Sequence, residues 1–327
     1  MEGKILIVGG AGYIGSHTAK YFHAQGEEVI VFDNLSTGHR DFTLWGEFEE
    51  GDLSDITRLR EVFEKHSICT VIHFAAHAYV GESVLEPEKY YRNNVVNTIN
   101  LLMVMKEFGV NNIVFSSSCA TYGQPTQVPI KEETQQLPLN PYGRTKLIAE
   151  SILKDYQAAY GLNFIALRYF NASGADLDSE IGERHEPETH LIPNILAAAE
   201  NNTQVKVFGD DYPTKDGSCI RDYIHVCDLA SAHFLAYRHL LSGGISECIN
   251  ISSGTGYSIF DIVKESEKIL GKKVDFLIEP RRAGDPAELV GTNTKAKDIL
   301  GWQSEFSDLS TILSTAYKWL LKEKGKQ

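Results

Sequence analysis

The chain has 327 residues, of which 43% are hydrophobic and 23% charged, a composition typical of a globular protein with one large α/β domain or two unequal ones. A formal net charge of −13 argues against a general nucleic-acid binder, because such a protein needs a basic surface for phosphate groups. The N-terminal segment lacks a signal-peptide pattern, and no stretch approaches the roughly 18 apolar residues of a membrane span. The sequence therefore predicts a cytoplasmic protein with no nucleic acid and no membrane among its partners.

The first 33 residues predict a strand, a helix and a second strand. Residues 4–8 (KILIV) are an apolar run that ends in glycines, and the next segment has apolar residues at helical spacing up to Gly26. Residues 28–33 (EVIVFD) form another apolar run. A βαβ unit of this length implies two parallel strands joined by a right-handed crossover.

The same alternation continues to about residue 171. The sequence predicts helices over 55–66, 87–108 and 141–160, and strands over 70–76, 112–118 and 163–171. Runs such as VIHFAA are apolar throughout, as is typical of central strands covered on both faces. The predicted fold class is α/β, with a Rossmann-like, doubly wound parallel sheet in a domain of residues 1–171.

The chain becomes polar and acidic after Asn171, and shorter elements follow, including a helix at 191–201 and a strand at 204–209. This change predicts a smaller C-terminal α/β substrate domain over residues 172–327. A segment near 222–255 is expected to return to the sheet of the first domain.

The first strand-to-helix turn, GGAGYIG, contains Gly9, Gly12 and Gly15. Glycine lets the backbone turn tightly and approach a pyrophosphate, while the start of the helix offers free N–H groups. Tight turns also use glycine without a ligand. Here, however, Asp33 ends the next strand, where a carboxylate can bind ribose hydroxyls and repel a 2′-phosphate. The pattern predicts a dinucleotide site that prefers NAD to NADP.

Tyr142 and Lys146 lie four residues apart at the start of the predicted helix 141–160, so they share one face of it. A nearby ammonium favours the phenolate and is expected to lower the pKa of Tyr142 toward that of a general base. The pair alone also fits an ordinary solvated helix face. Ser118 ends the strand 112–118 at the carboxyl edge of the sheet, where such folds bind ligands, so the three residues together predict an acid/base site.

Metal-binding patterns are missing from the sequence. The five cysteines include no C-x-x-C pair and the eleven histidines no H-E-x-x-H spacing. The prediction is therefore no metal and no disulfide framework.

Eight segments resemble the extended short-chain dehydrogenase/reductase superfamily and, within it, are similar to the UDP-glucose 4-epimerase family. They follow one another in the expected order: GGAGYIGSH, FAAHAYVGESV, SSSCATYG, NPYGRTK, LRYFNASGA, HLIP, GSCIRDYIHV and PRRAGD. The resemblance implies a UDP-sugar substrate, bound NAD that is regenerated in each cycle, and inversion of C4 of a UDP-hexose through a 4-keto intermediate. It implies that Tyr142 is the base, that Lys146 assists it and binds the nicotinamide ribose, and that Ser118 positions the sugar 4-oxygen.

The glycine turn and the resemblance together predict two sets of binding residues. The cofactor set is Gly9, Gly12, Tyr13, Ile14, Gly15, Asp33, Asn34, Asp52, Leu53, Phe74, Ala75, Asn93, Ser116, Tyr142, Lys146 and Tyr169. The substrate set is Ser118, Tyr142, Asn171, His190, Leu191, Lys206, Phe208, Arg221, Tyr223, Arg282, Asp285 and Leu289. The two arginines suit a diphosphate because of their planar guanidinium groups, although each alone reads as a surface charge.

Four positions depart from the family pattern. Val8 replaces a threonine before the glycine turn, Ala78 replaces a lysine that contacts the cofactor, and His190 replaces an asparagine. Leu289 stands where epimerases restricted to non-acetylated sugars have tyrosine, so we expect UDP-GlcNAc and UDP-GalNAc to be substrates as well.

Other functions stay open at the level of the sequence. UDP-pentose and UDP-uronate 4-epimerases share segments similar to SSSCATYG, and a non-catalytic dinucleotide-sensing regulator could use the same fold. Dehydratases are disfavoured, because residues 119–121 include no carboxylate. The resemblance also implies a homodimer, formed through the helices near 90–108 and 142–160.

Overall fold

The structure, a computed structural model, describes residues 3–282 and 285–325, so two residues of the PRRAGD segment, Ala283 and Gly284, lie outside it. The strands are β1 (Lys4–Val8), β2 (Val29–Asp33), β3 (Glu47–Glu50), β4 (Ile68–His73), β5 (Asn112–Ser118), β6 (Asn163–Tyr169), β7 (Asn171–Ser173), β8 (Val205–Phe208), β9 (Ile220–His225), β10 (Glu247–Ile251), β11 (Gly256–Ser258), β12 (Phe276–Glu279) and β13 (Glu288–Leu289). The α-helices are α1 (Tyr13–Ala24), α2 (Ile56–Lys65), α3 (Val80–Leu85), α4 (Pro87–Tyr91), α5 (Asn97–Glu107), α6 (Pro141–Tyr160), α7 (Leu191–Asn201), α8 (Val226–Leu241), α9 (Ile259–Leu270) and α10 (Leu309–Lys324). Among the described helices, none has the length and apolar character needed to cross a membrane.

Seven parallel strands form the central sheet, in the order β10-β6-β5-β4-β1-β2-β3. The direction of strand addition reverses between β1 and β4, and doubly wound folds bind ligands outside the carboxyl ends of the strands at such a point. The predicted α/β, Rossmann-like sheet is confirmed.

The alternation of side chains along β1 explains why both faces of the sheet carry helices. Ile5 and Ile7 belong to a buried cluster with residues of α1 and α8, while Leu6 and Val8 belong to a second cluster with residues of α2, α5 and α6. Parallel strands that are buried on both faces need apolar side chains at successive positions, which is the run seen in KILIV.

The helix predicted over 87–108 is interrupted by one turn of π-helix, Arg92–Val96. The wider turn adds a residue to the helical path, and such insertions are frequent at functional sites. Here it places Asn94 in the interior, where its side chain contacts both the segment after β4 and helix α6.

The C-terminal part contains two smaller sheets. Strand β9 pairs with β7, β11 and β13, and β8 pairs with β12. A third buried cluster joins α7, α9 and α10. Strand β10 lies at the edge of the large sheet, beside β6. The division into an NAD-binding domain of residues 1–171 and a UDP-sugar-binding domain of residues 172–327 remains our proposal.

Candidate active site

The glycine turn fits a bound anion. Gly9 has a φ of +78°, and a Cβ at Gly15 would lie 2.2 Å from the carbonyl oxygen of Gly9, so both positions require glycine. At Gly12 a Cβ would have only one heavy-atom neighbour within 4 Å among the described residues, at 3.4 Å, so space remains for a ligand. Among the described residues, no side chain caps the N-terminus of α1 at Gly12, which leaves its N–H groups available to a pyrophosphate.

Asp33 is fixed beside this turn. Its carboxylate accepts hydrogen bonds from the backbone N–H groups of Ala11, at 2.9 Å, and Leu35, at 2.8 Å. Burial raises the pKa of Asp33, and these N–H groups oppose the rise. A carboxylate that is held in place in this way still has oxygen lone pairs available, and these can accept hydrogen bonds from the ribose hydroxyl groups of a dinucleotide.

The predicted adenine side of the cofactor site is also assembled. The side-chain amide of Asn34 donates a hydrogen bond to Asp52, whose other oxygen accepts from the backbone N–H of Ser54 at 2.7 Å. The side chain of Leu53 is buried in the core below, so only its backbone can face a ligand.

The remaining predicted cofactor residues surround the same edge of the sheet. Tyr13 and Ile14 begin α1, Phe74 and Ala75 follow β4, Asn93 lies in the π-helical turn, Ser116 lies on β5, and Tyr169 ends β6. The N–H groups of Phe74 and Ala75 both donate to the carbonyl of Val8, at 2.8 and 3.1 Å.

Helix α6 brings Tyr142 to Ser118. The side chain of Asn140 caps the helix by accepting from the N–H of Gly143 at 2.8 Å, and Pro141 occupies its first turn. A Cβ at Gly143 would lie 2.4 Å from the carbonyl oxygen of Ala120, so glycine permits the close approach of α6 to the turn after Ser118. As a result, the hydroxyl of Ser118 comes close enough to that of Tyr142 to influence its pKa.

Lys146 lies one turn further along α6. Its ammonium donates to the carbonyl oxygen of Ser116 at 2.7 Å and lies 5.9 Å from the ring centre of Tyr142. Burial lowers the pKa of Lys146 to about 7, and the carboxylate of Glu150 opposes that shift.

The prediction that Lys146 lowers the pKa of Tyr142 is wrong for the protein chain itself. Burial raises the pKa of Tyr142 to about 12, and the hydrogen bond with Ser118 opposes the rise. The spacing of the two residues on the helix is as predicted, but the ammonium bonds to the backbone of β5, and burial reduces its charge near neutral pH.

Asn94 is a positioning residue that the sequence did not reveal. Its side chain accepts from the N–H of His77 at 2.9 Å and donates to the carbonyl of His77 and to the hydroxyl of Thr145 at 3.0 and 3.1 Å. Thr145 in turn donates to the carbonyl of Tyr142 at 2.7 Å. The segment after β4 is thereby tied to the first turn of α6.

Glu150 is a second residue that the sequence analysis missed. It lies one turn beyond Lys146 and is fully buried, where it accepts hydrogen bonds from Arg168 on β6 and from the hydroxyl of Ser117. Ser117 lies between Ser116 and Ser118. Its hydrogen bond with Glu150 therefore holds in place the strand that carries both site serines.

The predicted substrate residues come from several elements. Asn171 on β7 pairs in register with Tyr223 on β9, and its side chain donates to the carbonyl of Asp222 at 2.9 Å. Arg221 lies 3.6 Å from the carboxylate of Asp285. Burial raises the pKa of the thiol of Cys119, the neighbour of Ser118, to about 12. The positive charge of Arg221 opposes this rise.

Two further pairs form around β8. The guanidinium of Arg282 lies 3.9 Å from the ring centre of Phe208, while Lys206 is exposed and lies 3.2 Å from Glu279. Leu289 lies on β13, in register with Arg221, and packs against an apolar cluster that also contains Cys119.

His190 and Leu191 begin helix α7. The imidazole of His190 contacts the carboxylates of Glu183 and Glu188, with N–O distances of 2.7 and 3.0 Å. Burial acts to lower the pKa of His190, but the two carboxylates outweigh it and raise the value to about 10. The substitution of asparagine by His190 therefore introduces a cation next to the predicted substrate site.

Comparison with known proteins gives a consistent result. Residues 5–252 match the family described as the NAD dependent epimerase/dehydratase family. The chain is 50% identical over 316 residues to the UDP-glucose 4-epimerase of Halalkalibacterium halodurans, covering 96% of this chain and 95% of that protein.

Two solved structures extend the comparison. UDP-glucose 4-epimerase from Brucella ovis, in complex with NAD, is 53% identical, with a TM-score of 0.95 over 97% of this chain and 98% of that one. The enzyme from Bifidobacterium longum, in complex with NAD+ and UDP, is 36% identical, with a TM-score of 0.93 over 99% of this chain and 100% of that one.

Proposed function

We infer the function of this chain from its membership of a family: it belongs to the NAD dependent epimerase/dehydratase family. Its cofactor is NAD, and we propose that it inverts C4 of a UDP-hexose and thereby interconverts UDP-glucose and UDP-galactose. The observation that carries this proposal is the meeting of Ser118 and Tyr142 at the carboxyl edge of the sheet, beside the glycine turn.

The described residues fit NAD at this edge. The free N–H groups of α1 would hold the pyrophosphate and Asp33 the ribose, while Lys146 lies beside Ser116, to whose carbonyl it donates. When bound, NAD would supply the redox chemistry at C4 and, in its oxidised form, a positive charge.

The protein's own contribution is proton transfer and orientation. Tyr142 removes the proton of the sugar 4-hydroxyl and returns it after the 4-keto sugar has turned over, while Ser118 holds the 4-oxygen through its hydrogen bond. Burial raises the pKa of Tyr142 to about 12 in the chain itself. The phenol must therefore release its own proton to solvent before it can accept that of the sugar hydroxyl, and the positive charge of oxidised NAD would favour this release. Lys146, hydrogen bonded to the Ser116 carbonyl, keeps one position between the tyrosine and the strand.

A sugar that must rotate within the site cannot be bound tightly, so the binding energy has to come from the UDP group. We assign that role to the substrate residues on β7, β8 and β9 and to Arg282 and Asp285. The guanidinium groups of Arg221 and Arg282 suit the diphosphate, and Phe208, already covered by Arg282, offers an aromatic face.

We further propose that N-acetylated sugars are accepted. Leu289 packs against the same apolar cluster as Cys119, the neighbour of Ser118, and its side chain is smaller than that of tyrosine, so we expect room for an acetamido group near the sugar. UDP-pentoses and UDP-uronates are the alternative substrates. Dehydration is disfavoured because the turn Cys119–Thr121 carries no carboxylate to eliminate water.

We propose a homodimer and a cytoplasmic location as well. Val96 and Ile99, at the start of α5, and Ile148 on α6 are exposed apolar side chains on neighbouring helices, and a second copy would cover them. Analytical ultracentrifugation is expected to give a dimer for the wild-type chain and a monomer for Ile99→Lys. A monomeric wild-type protein would contradict this part of the proposal.

The test of the activity is incubation of purified protein with UDP-galactose, UDP-GalNAc, UDP-xylose and UDP-glucuronate, without added NAD. We expect UDP-glucose to form from UDP-galactose with no net accumulation of NADH. The absence of any UDP-hexose turnover, in protein shown to contain NAD, would refute the proposal and favour a sensing role.

A further inference from the structure

The segment between β7 and α7 carries a cluster of four potential metal ligands, of which only His190 belongs to the predicted substrate set. It consists of Glu183, His185, Glu188 and His190, and one donor atom from each lies within 4.8 Å of all the others. The sequence analysis missed it because the spacing, E-x-H-x-x-E-x-H, does not match H-E-x-x-H.

The four nitrogen–oxygen distances within the cluster lie on either side of the ligand spacing in a four-coordinate metal site. The Nδ1 atom of His185 lies 3.2 Å from Glu183 and 3.5 Å from Glu188, and that of His190 lies 2.7 and 3.0 Å from the same two carboxylates. Ligand atoms bound tetrahedrally at about 2.0–2.1 Å from zinc are separated by about 3.3 Å. Small movements would therefore complete the tetrahedron.

One of these donors lacks a good partner. The Nδ1 atom of His185 is buried and makes no well-aligned hydrogen bond within the described part of the chain, even though two carboxylates surround it. The side chain of Glu183 is 7% exposed, and its buried carboxylate contacts the imidazoles of both His185 and His190. A buried, unsatisfied nitrogen beside a buried carboxylate points to a ligand between them.

We propose that Glu183, His185, Glu188 and His190 form a binding site for a divalent transition-metal ion of the zinc type, with two imidazole nitrogens and two carboxylate oxygens as ligands. Imidazole and carboxylate are ligands that zinc accepts. If both imidazolium groups release a proton to solvent when one divalent ion binds, the net charge of the cluster is unchanged.

The ion would act as a structural clamp. The ring of His185 lies 6.3 Å from that of Tyr13, in the glycine turn, and 5.9 Å from that of Tyr79, in the segment after β4. His190 is the N-cap residue of α7. A metal at this point would fix the segment before α7 against both rings, independently of the reaction at C4.

The test is titration of chelator-treated, untagged protein with Co²⁺ and with Zn²⁺ at pH 8, where neutral imidazole is more available. We expect one ion per chain, with a Kd below ~10 μM, a tetrahedral Co²⁺ absorption band, and a melting temperature that rises with Zn²⁺ concentration. His185→Gln is expected to weaken binding by about 100-fold or more, since even residues behind the ligands change metal affinity by roughly 10–100-fold.

The controls separate this site from other histidines. His23→Gln changes an exposed histidine at the end of α1 and is expected to bind Co²⁺ like the wild type. If His185→Gln fails to fold, His190→Gln, with a half-exposed ring, gives the same measurement. The proposal is overturned if binding is weaker than ~10 μM or not stoichiometric, or if the variant and the wild type bind alike. Because no substrate is present, the result is independent of the proposed epimerase activity.

Discussion

Glu150 and Arg168 form an ion pair inside the protein, with Oε2 and Nη2 2.7 Å apart and 0% and 3% of the two side chains exposed. Burial acts against both charges, but the partner outweighs it, so the pKa of Glu150 is lowered and that of Arg168 is raised. Each charge is stable in the interior only because of the other.

Replacing one partner is therefore expected to be costly. Glu150→Gln leaves the Arg168 guanidinium buried without a counterion, and we expect a loss of about 3–5 kcal/mol in the free energy of unfolding, measured with urea. The matched control is the exposed pair of Glu107 and Arg60, at 2.9 Å, where Glu107→Gln should cost less than about 1 kcal/mol. Equal losses in the two variants would contradict the role of burial.

Lys146 gives the stability of the protein a specific pH dependence. Its pKa is about 7 in the folded chain and 10.5 when exposed, so above pH 7 the unfolded state binds the additional proton and stability rises with pH. Between pH 7 and pH 9, nucleotide-free wild type should gain roughly 2–3 kcal/mol relative to Lys146→Met. Urea unfolding of both proteins at the two pH values measures this difference, and parallel pH profiles would show that Lys146 is not titrating.

Much of the fold follows from apolar runs in the sequence. Strands β1 and β5 and helix α6 have the predicted bounds, because a buried parallel strand or a capped helix leaves a clear local pattern. Strand β3, with the sequence EFEE, was not predicted. It lies at the edge of the sheet and is stabilised by pairing with β2 rather than by an apolar pattern of its own.

The candidate site was predictable only in part. Residues in contiguous motifs, such as the glycine turn and Tyr142 with Lys146, were identified from their spacing. Arg168 lies in the predicted strand 163–171 but was not identified as a site residue, because its partner Glu150 is on a different element and the pairing depends on the tertiary structure. The pKa values of Tyr142 and Lys146 could not be predicted from the sequence, because burial in the tertiary structure determines both.

Gly15 is expected to tolerate no side chain. In Gly15→Ala the new Cβ would lie 2.2 Å from the carbonyl oxygen of Gly9 and 2.8 Å from the Cα of Gly10, so α1 must move away from the turn. We expect a loss of about 1–3 kcal/mol in stability together with reduced NAD content in the purified protein. Gly81→Ala, in helix α3, meets no atom within 4 Å and should be neutral or stabilising by up to about 1 kcal/mol. A Gly15→Ala protein with normal stability and NAD content would argue against this geometry.

Tyr142→Phe tests the proposed base. The change removes one hydroxyl and its interaction with Ser118, so the fold and the NAD content should be retained while kcat falls by about 10²–10⁴-fold. Tyr156→Phe, on the same helix but packed against the core, is the matched control and should keep full activity. Retention of activity by Tyr142→Phe would assign the proton transfer to another group.

Leu289 is the residue expected to determine the range of sugars. It lies in register with Arg221 and packs against the cluster that contains Phe170, as does Cys119, the neighbour of Ser118, so we expect a larger side chain at this position to reduce the space for the sugar. We expect Leu289→Tyr to lower kcat/KM for UDP-GlcNAc by about 100-fold or more, through steric exclusion of the acetamido group, with little change for UDP-galactose. Leu289→Met conserves volume and should keep both activities. If the wild type does not turn over UDP-GlcNAc, or if the tyrosine variant loses both substrates equally, residue 289 does not select between the sugars.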